Sequence, residues 1–156
     1  LHKEYRRQRQ MCIRDRTSAA NLGVANAARN YALEFSKSRK PTGASDTISK
    51  IPYVREQIGR LESKLISSKR NLFSFAEDWE NYPEYHEDLL TEIGVVKTKS
   101  IDSAIEITDL AIRIVGGVGL EKSRPLERYF RDVRSGLFNP PIEARALEHI
   151  ASSILD

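Results

Sequence analysis

Apolar positions recur along most of this chain at spacings of three and four, the period of a helix with one buried face. From Thr17 onward, Ala20, Gly23, Val24, Ala27, Ala28, Tyr31 and Phe35 mark such a face, with Asn26, Arg29, Asn30 and Lys37 opposite. The small residues in its first half let another backbone pack close. This helix should stop near Lys40, since Pro41 cannot continue it and Gly43 follows. The loop from Pro41 to Asp46 is made of turn-forming residues. A second helix carries the most regular pattern: Ile51, Val54, Ile58, Leu61, Leu65, Ser68, Leu72, Phe75 and Trp79. That seam is broken only by Ser68 and predicts shallow helix-on-helix packing along a rod of roughly 40 Å. Trp79 ends it as a packing anchor, and Pro52 sits where a helix start tolerates it.

After the break at Asn81-Tyr82-Pro83, a third helix is expected from near Glu84 to Val115. It has two stripes. One is Ile101, Ala104, Ile105, Thr108, Ala111, Ile112 and Val115; the other is Ile107, Leu110 and Ile114. A helix with two apolar stripes needs cover on both sides, one from its own bundle and one from another domain or subunit. Glycines at 116, 117 and 119 then interrupt it, either as a plain helix end or as backbone that a ligand can approach closely. Pro125 restarts a short helix whose apolar side is Leu126, Tyr129, Phe130 and Val133. Glu127 with Arg131 and Arg128 with Asp132 are spaced to pair along it. Gly136 is expected to end that element. Asn139 is read as the N-cap of a final helix, with Pro140 and Pro141 in its first turn and Ile142, Ala146, His149 and Ile150 beyond. No segment alternates with period two. The pattern predicts an all-α fold, an antiparallel up-down bundle of the four-helix type with short helices appended at the C-terminal side.

Composition changes little in this picture. With 156 residues, 40% hydrophobic and 30% charged, the chain is sized for one soluble domain. No apolar run is long enough for a membrane span and no secretory signal is visible, so a cytoplasmic protein is expected. The single cysteine, Cys12, supports no internal disulfide. The formal charge of +3 is unevenly spread: residues 1–16 hold six basic and two acidic side chains, a net of +4, so the remainder sums to −1. Those sixteen residues read as a non-native segment. Met11-Cys-Ile-Arg-Asp-Arg16 resembles a translated transposon end of the kind used in DNA library preparation, which leaves residues 17–156 as the domain. Without that arm no basic stripe remains for nucleic acid. His2, His86 and His149 lack ligand spacing for a metal, and there is no phosphate loop or nucleophile elbow. The acidic residues from Asp78 to Asp88 read as a solvated helix end.

Three stretches carry a resemblance: Gly23-Val-Ala-Asn-Ala-Ala-Arg29 through Arg39-Lys-Pro-Thr-Gly43, Arg113 to Leu120, and Pro125-Leu-Glu-Arg-Tyr-Phe-Arg-Asp132. Together they resemble the C-terminal all-helical domain of the acyl-CoA dehydrogenase superfamily, over about residues 19–154. The resemblance implies an oxidoreductase with FAD as cofactor and acyl-CoA as substrate, built with an N-terminal and a middle domain and assembled as a homodimer or homotetramer. It implies cofactor contacts at Arg39, Gly116 and Gly117. Thr42, which stands where the family has phenylalanine, and Arg113, where it has glutamine, complete the cofactor-binding candidates. The family's catalytic glutamate would fall within Leu137-Phe-Asn-Pro-Pro141, which has no carboxylate, or at Ile13 on the first helix. Ile13 lies in the segment read as non-native, so the catalytic residue stays unassigned: the dehydrogenase reading expects its base in the upstream sequence, and Glu143, the nearest carboxylate, is a further candidate. Three readings follow: a flavin-dependent dehydrogenase of acyl-CoA, a flavin monooxygenase of the same fold, or a helical domain that serves assembly only. This domain alone is expected to be inactive.

Overall fold

The computed structural model describes the backbone of residues 2–155 and the side chains of residues 16–155. Three long helices dominate: α1 (His2–Ser38), α2 (Pro52–Asn81) and α3 (His86–Val115). Two short ones follow, α4 (Pro125–Asp132) and α5 (Glu143–Leu155), with 3-10 segments at Ile48–Lys50, Pro83–Tyr85, Gly117–Leu120 and Val133–Phe138. No strand occurs among the described residues, in agreement with the all-α expectation. No helix among them is long and apolar enough to cross a membrane. Helix α1 is already under way at Thr17. The side chains of residues 1–15 in the segment read as non-native, Cys12 and Ile13 included, lie outside the described residues.

Cross-helix contacts fix the directions. Arg29 pairs with Glu62, and Lys69 Nζ donates to Asn26 Oδ1 at 3.2 Å, so numbers fall along α1 as they rise along α2. Lys64 pairs with Glu106, and the His86 ring stacks on Trp79 at 3.9 Å across the tight corner. The same imidazole bonds the Trp79 carbonyl at 2.9 Å, satisfying one of the acceptors that a helix end leaves open. Successive long helices are therefore antiparallel. The place of a fourth long helix is taken by the broken series α4, Val133–Phe138 and α5, which packs on α1 and α3.

The heptad seam of α2 is buried as read at Val54, Leu61, Leu65, Ser68, Leu72, Phe75 and Trp79. Gln57 is buried there too, while Ile58 is half-buried and Ile51 exposed. Helix α3 is covered by α1 and α2 over Ile101, Ala104, Ile107, Thr108, Ala111, Ile114 and Val115, while Ile105, Leu110 and Ile112 of the two stripes stay half-buried. The face of α1 is also rotated from the expected one. Ser18, Asn21, Leu22, Ala25, Ala28, Ala32 and Ser36 are buried, whereas Ala20 and Gly23 are exposed and Val24, Ala27, Tyr31 and Phe35 lie at the margin. The polar members of that face bond their own helix: Asn21 Nδ2 donates to Thr17 O at 2.9 Å and Ser36 Oγ to Leu33 O at 2.8 Å.

Two features after α4 differ from the sequence reading. Gly136 does not end the element, because the 3-10 segment runs on to Phe138. It is buried, and a Cβ there would stand 2.9 Å from Ile101 Cγ1 and 3.1 Å from Asn21 Nδ2. Glycine is needed for close approach, not termination. Pro140 and Pro141, joined by a cis peptide, precede α5 and do not occupy its first turn; the helix starts at Glu143. Gly136→Ala is accordingly expected to lower the unfolding free energy by about 1–3 kcal/mol through overpacking. Gly23→Ala, with open space around its Cα and a helical backbone, should raise it by about 0.5–1 kcal/mol. Chemical denaturation of both variants checks the contrast, and equal shifts would contradict it.

Candidate cofactor-binding end of the bundle

Antiparallel packing puts the C-terminal ends of α1 and α3 at the same end as the start of α2. Four sequence-predicted residues therefore gather there from two connections: Arg39 and Thr42 after α1, and Gly116 and Gly117 after α3. Arg113 lies one turn before the glycines. Helix α3 is locked into the core up to Ile114 and Val115. Gly116 N donates to Ile112 O at 2.7 Å, and Gly119 N donates to Gly116 O at 2.8 Å. Gly116 has φ 77° and ψ −166°, a region open essentially to glycine only.

The three glycines separate into different roles. Gly116 supplies the conformation. Gly119 is buried and supplies close packing, since a Cβ would sit 3.0 Å from Leu126 Cδ2 and 3.2 Å from Val115 Cγ1. Gly117 is exposed with nothing within 4 Å of its missing Cβ, so its backbone is the part an outside group can reach.

Arg113 borders a groove of about 220 Å³ between α2 and α3, lined also by Arg60, Lys64, Glu106, Asp109 and Leu110. Most charges in it are matched. Lys64 pairs with Glu106, Arg60 with Glu56 at 2.7 Å, and Asp109 with Arg134 at 2.9 Å. Arg113 makes no ion pair among the described residues and is exposed in the last turn of α3, where a cation also suits the helix dipole. Arg39 is exposed with its backbone held on both sides: its N–H donates to Phe35 O at 2.8 Å and its carbonyl accepts from Ile48 N at 2.9 Å. Thr42 is exposed beside Gly43, whose φ is 79°, in a turn closed by Ala44 N to Pro41 O at 3.1 Å. Two guanidinium groups without an ion pair among the described residues, a hydroxyl and bare glycine backbone suit an anionic, phosphate-bearing group.

Arg124 was not singled out from the sequence, and Tyr31 was read only as part of an apolar face. Arg124 Nη1 donates to Tyr31 Oη at 3.1 Å, tying the loop after the glycines to α1, and Arg124 also pairs with Glu121 at 3.0 Å. These bonds, the one to Tyr31 first, hold the Arg124 guanidinium above its ordinary pKa. Ninety-three positions separate the two residues, so no local spacing marks them.

Glu143 is not part of this group. It begins α5 and faces Asp102 on α3, and Asp102 lies fourteen residues before Gly116, roughly 21 Å along the helix. Burial first, and then the Glu143 charge, push the Asp102 carboxyl up from its ordinary value of 3.8, with Glu106 adding to the rise and Lys99 opposing it. Beside them Lys97 is almost fully buried, and its Nζ donates to the carbonyls of Asn139 and Pro141. The sequence signal for it was available: Lys97 falls on the buried spacing that runs through Ile93, Ile101 and Ala104.

A family profile described as "Acyl-CoA dehydrogenase, C-terminal domain" matches residues 16–137. Over 138 residues the chain is 36% identical to YdbM of Bacillus subtilis (strain 168), assigned to the acyl-CoA dehydrogenases, covering 88% of this chain and 36% of that protein. It is 31% identical over 117 residues to the 3-(aryl)acrylate reductase of Clostridium sporogenes, covering 75% of this chain and 29% of that enzyme. Among solved structures, butyryl-CoA dehydrogenase from Megasphaera elsdenii superposes with a TM-score of 0.79 at 21% identity, over 92% of this chain and 36% of the other. Nitroalkane oxidase superposes with a TM-score of 0.81 at 21% identity, over 90% and 34%. At that identity the two structures speak to fold alone. The chain thus spans about a third of the length of the relatives it matches.

Two outcomes test the geometry. Gly116→Ala should cost about 1–3 kcal/mol of stability from backbone strain, with Gly117→Ala costing less; denaturation midpoints measure both. Because the folded state holds the Asp102 proton more tightly than the unfolded one, this carboxyl subtracts stability as pH rises from about 3.8 through its raised folded value. Asp102→Asn removes that slope, so its advantage over the parent chain should be larger at pH 6 than at pH 3.5. An advantage that does not grow with pH contradicts the assignment.

Proposed function

We propose, on the premise that this chain belongs to the acyl-CoA dehydrogenase family through its C-terminal domain, that the full-length polypeptide is an FAD-dependent oxidoreductase acting on an acyl-CoA thioester. In that reaction an α-proton passes to a carboxylate while the β-hydrogen leaves with its electron pair, and a C=C bond forms between the two carbons. Bound FAD would supply the hydride acceptor. This domain binds the pyrophosphate and adenosine end of the dinucleotide and contributes to assembly of a homodimer or homotetramer. It has no activity without the N-terminal and middle domains.

The observation that carries this reading is the open backbone of Gly117 beside an Arg113 that lacks an ion-pair partner among the described residues. Arg113 and Arg39 provide planar forks for phosphate oxygens, and the Thr42 hydroxyl can donate or accept at the same end. Gly116 sets the turn that presents Gly117. The chain's role at this end is to bind and orient. The acid–base work belongs elsewhere: Leu137 to Pro141 offers no carboxylate, which leaves a base on the upstream part of the first helix, where Ile13 now stands, or Glu143.

That same absence supports a second reading, a flavin monooxygenase of this fold, which needs no base for an α-proton. Anaerobic mixing of the full-length flavoprotein with acyl-CoA thioesters separates the two: bleaching of the oxidised flavin spectrum supports the dehydrogenase, and no bleaching with any acyl chain eliminates it. Full-length polypeptide that purifies without flavin and takes none up would remove both enzymatic readings and leave the assembly domain. For the cofactor residues, Arg113→Ala should weaken FAD binding by about ten-fold or more, the loss expected for one charge-assisted hydrogen bond. Equilibrium titration of the apoprotein measures it, with Arg60→Ala, whose cation is already paired, as the control that should change little.

A further inference from the structure

Lys97 is among the largest fully buried side chains described, with 1% of its surface exposed. A buried ammonium is strongly unfavourable unless its donors are taken up. Here Nζ donates to the carbonyl oxygens of Asn139 and, at 2.6 Å, Pro141. Both acceptors lie in the connection between the 3-10 segment Val133–Phe138 and α5. Such carbonyls are ordinarily left to water, and here one cation gathers two of them. Pro141 is two residues from Glu143, the first residue of α5, and Lys97, Asp102, Pro141 and Glu143 line one small crevice. Deeper along α5, Ala146 packs on Gly94, where an added Cβ would stand 3.0 Å from the Ala146 Cβ. The start of α5 is thus held to α3 by Lys97 on one side and by the Gly94–Ala146 contact on the other.

We propose that Lys97 is a positioning residue: by holding the Asn139 and Pro141 carbonyls it sets where Glu143 enters α5 opposite Asp102, and so places the carboxylate that takes the α-proton. The proposal rests on the dehydrogenase reading above and on Glu143 as its base, so a Glu143→Gln variant that keeps its kcat would overturn it. It uses none of the residues at the glycine end, so cofactor binding and proton transfer should respond separately.

The test compares full-length flavoprotein with its Lys97→Met and Lys97→Arg variants in acyl-CoA turnover. Met removes the donors at similar length, and Arg keeps a cation with N–H donors. The Met variant should keep its FAD content and a KM within about two-fold, while kcat falls by at least about ten-fold and the acid limb of its pH profile moves. Arg should recover most of kcat. Unchanged kcat and pH profile in the Met variant overturn the proposal, as does an equal loss of kcat, KM and flavin content in both variants. If the Met variant does not fold, Lys97→Gln, whose shorter, uncharged amide reaches the two carbonyls less well, takes its place with a smaller fall in kcat expected, and unchanged kcat there overturns the proposal. If the parent enzyme itself is not reduced by any acyl-CoA, the dehydrogenase reading has failed. Amide exchange then reads the clamp alone: residues 142–146 should exchange at least about ten-fold faster in the Met variant, and unchanged exchange would rule the clamp out.

Discussion

Burial of α3 on both sides is the constraint from which the rest of this fold follows. Ala104, Ile107, Ala111 and Ile114 are all in the core, and they face α1 and α2 from a single helix. The partner surface of α1 is Ala25, Ala28 and Ala32, each fully buried. Side chains that small bring backbones close, so a modest apolar volume per residue fills the space between the helices at native density. Helix α2 meets the other side with larger residues, Leu61 and Leu65. Leu126 and Val133 then close the same cluster from α4 and the segment after it. A second cluster, built around Phe75, Trp79, Leu89 and Ile93, does the same at the opposite end. The connection after α4 can lie against α3 only because Gly136 has no side chain to meet Ile101.

Much of this was legible where the signal was local and periodic. The α2 seam and the proline-started helix Pro125–Asp132 match their sequence patterns, and the predicted pairs along the latter form, Arg131 to Glu127 at 2.5 Å and Arg128 to Asp132 at 3.9 Å. The face of α1 was misread for a physical reason. Its buried positions include Ser18, Asn21 and Ser36, which count as polar in any hydropathy pattern. Asn21 and Ser36 bond carbonyls of their own helix, so they enter the core with donors satisfied while Tyr31 and Phe35 remain at the margin. In the second stripe of α3, Ile107 and Ile114 are covered inside the chain and Leu110 is left half-buried, a split that sequence does not show because it marks a stripe without showing what covers it.

The candidate site divides along the same line. Arg113 through Asp132 is contiguous, and its glycines and proline carry meaning at fixed offsets. What sequence left unresolved was the division of labour among the glycines, since only packing distinguishes Gly119, pressed against Val115 and Leu126, from Gly117, which faces open space. The Tyr31–Arg124 bond and the crevice of Lys97, Asp102 and Glu143 are assembled from distant parts of the chain. Helix packing creates them, and no motif announces them.

One consequence concerns how the two ends of the domain are kept in register. Arg113 and Lys97 are sixteen residues apart on the same helix, roughly 24 Å at the α-helical rise. The glycine turn is fixed to one end of that helix by Val115, and the start of α5 is fixed to its other half by Lys97 and Gly94. Because α3 is clamped along its length by α1 and α2, it acts as a rigid spacer between the groups that would hold the dinucleotide and the carboxylates near α5. A one-residue insertion between Lys97 and Arg113 would move one end by about 1.5 Å and turn it by about 100°, so both stripes would lose their partners at once. The spacing cannot drift without unfolding the core. The same two-sided burial that stabilises the bundle therefore also fixes the separation between the glycine turn and the start of α5.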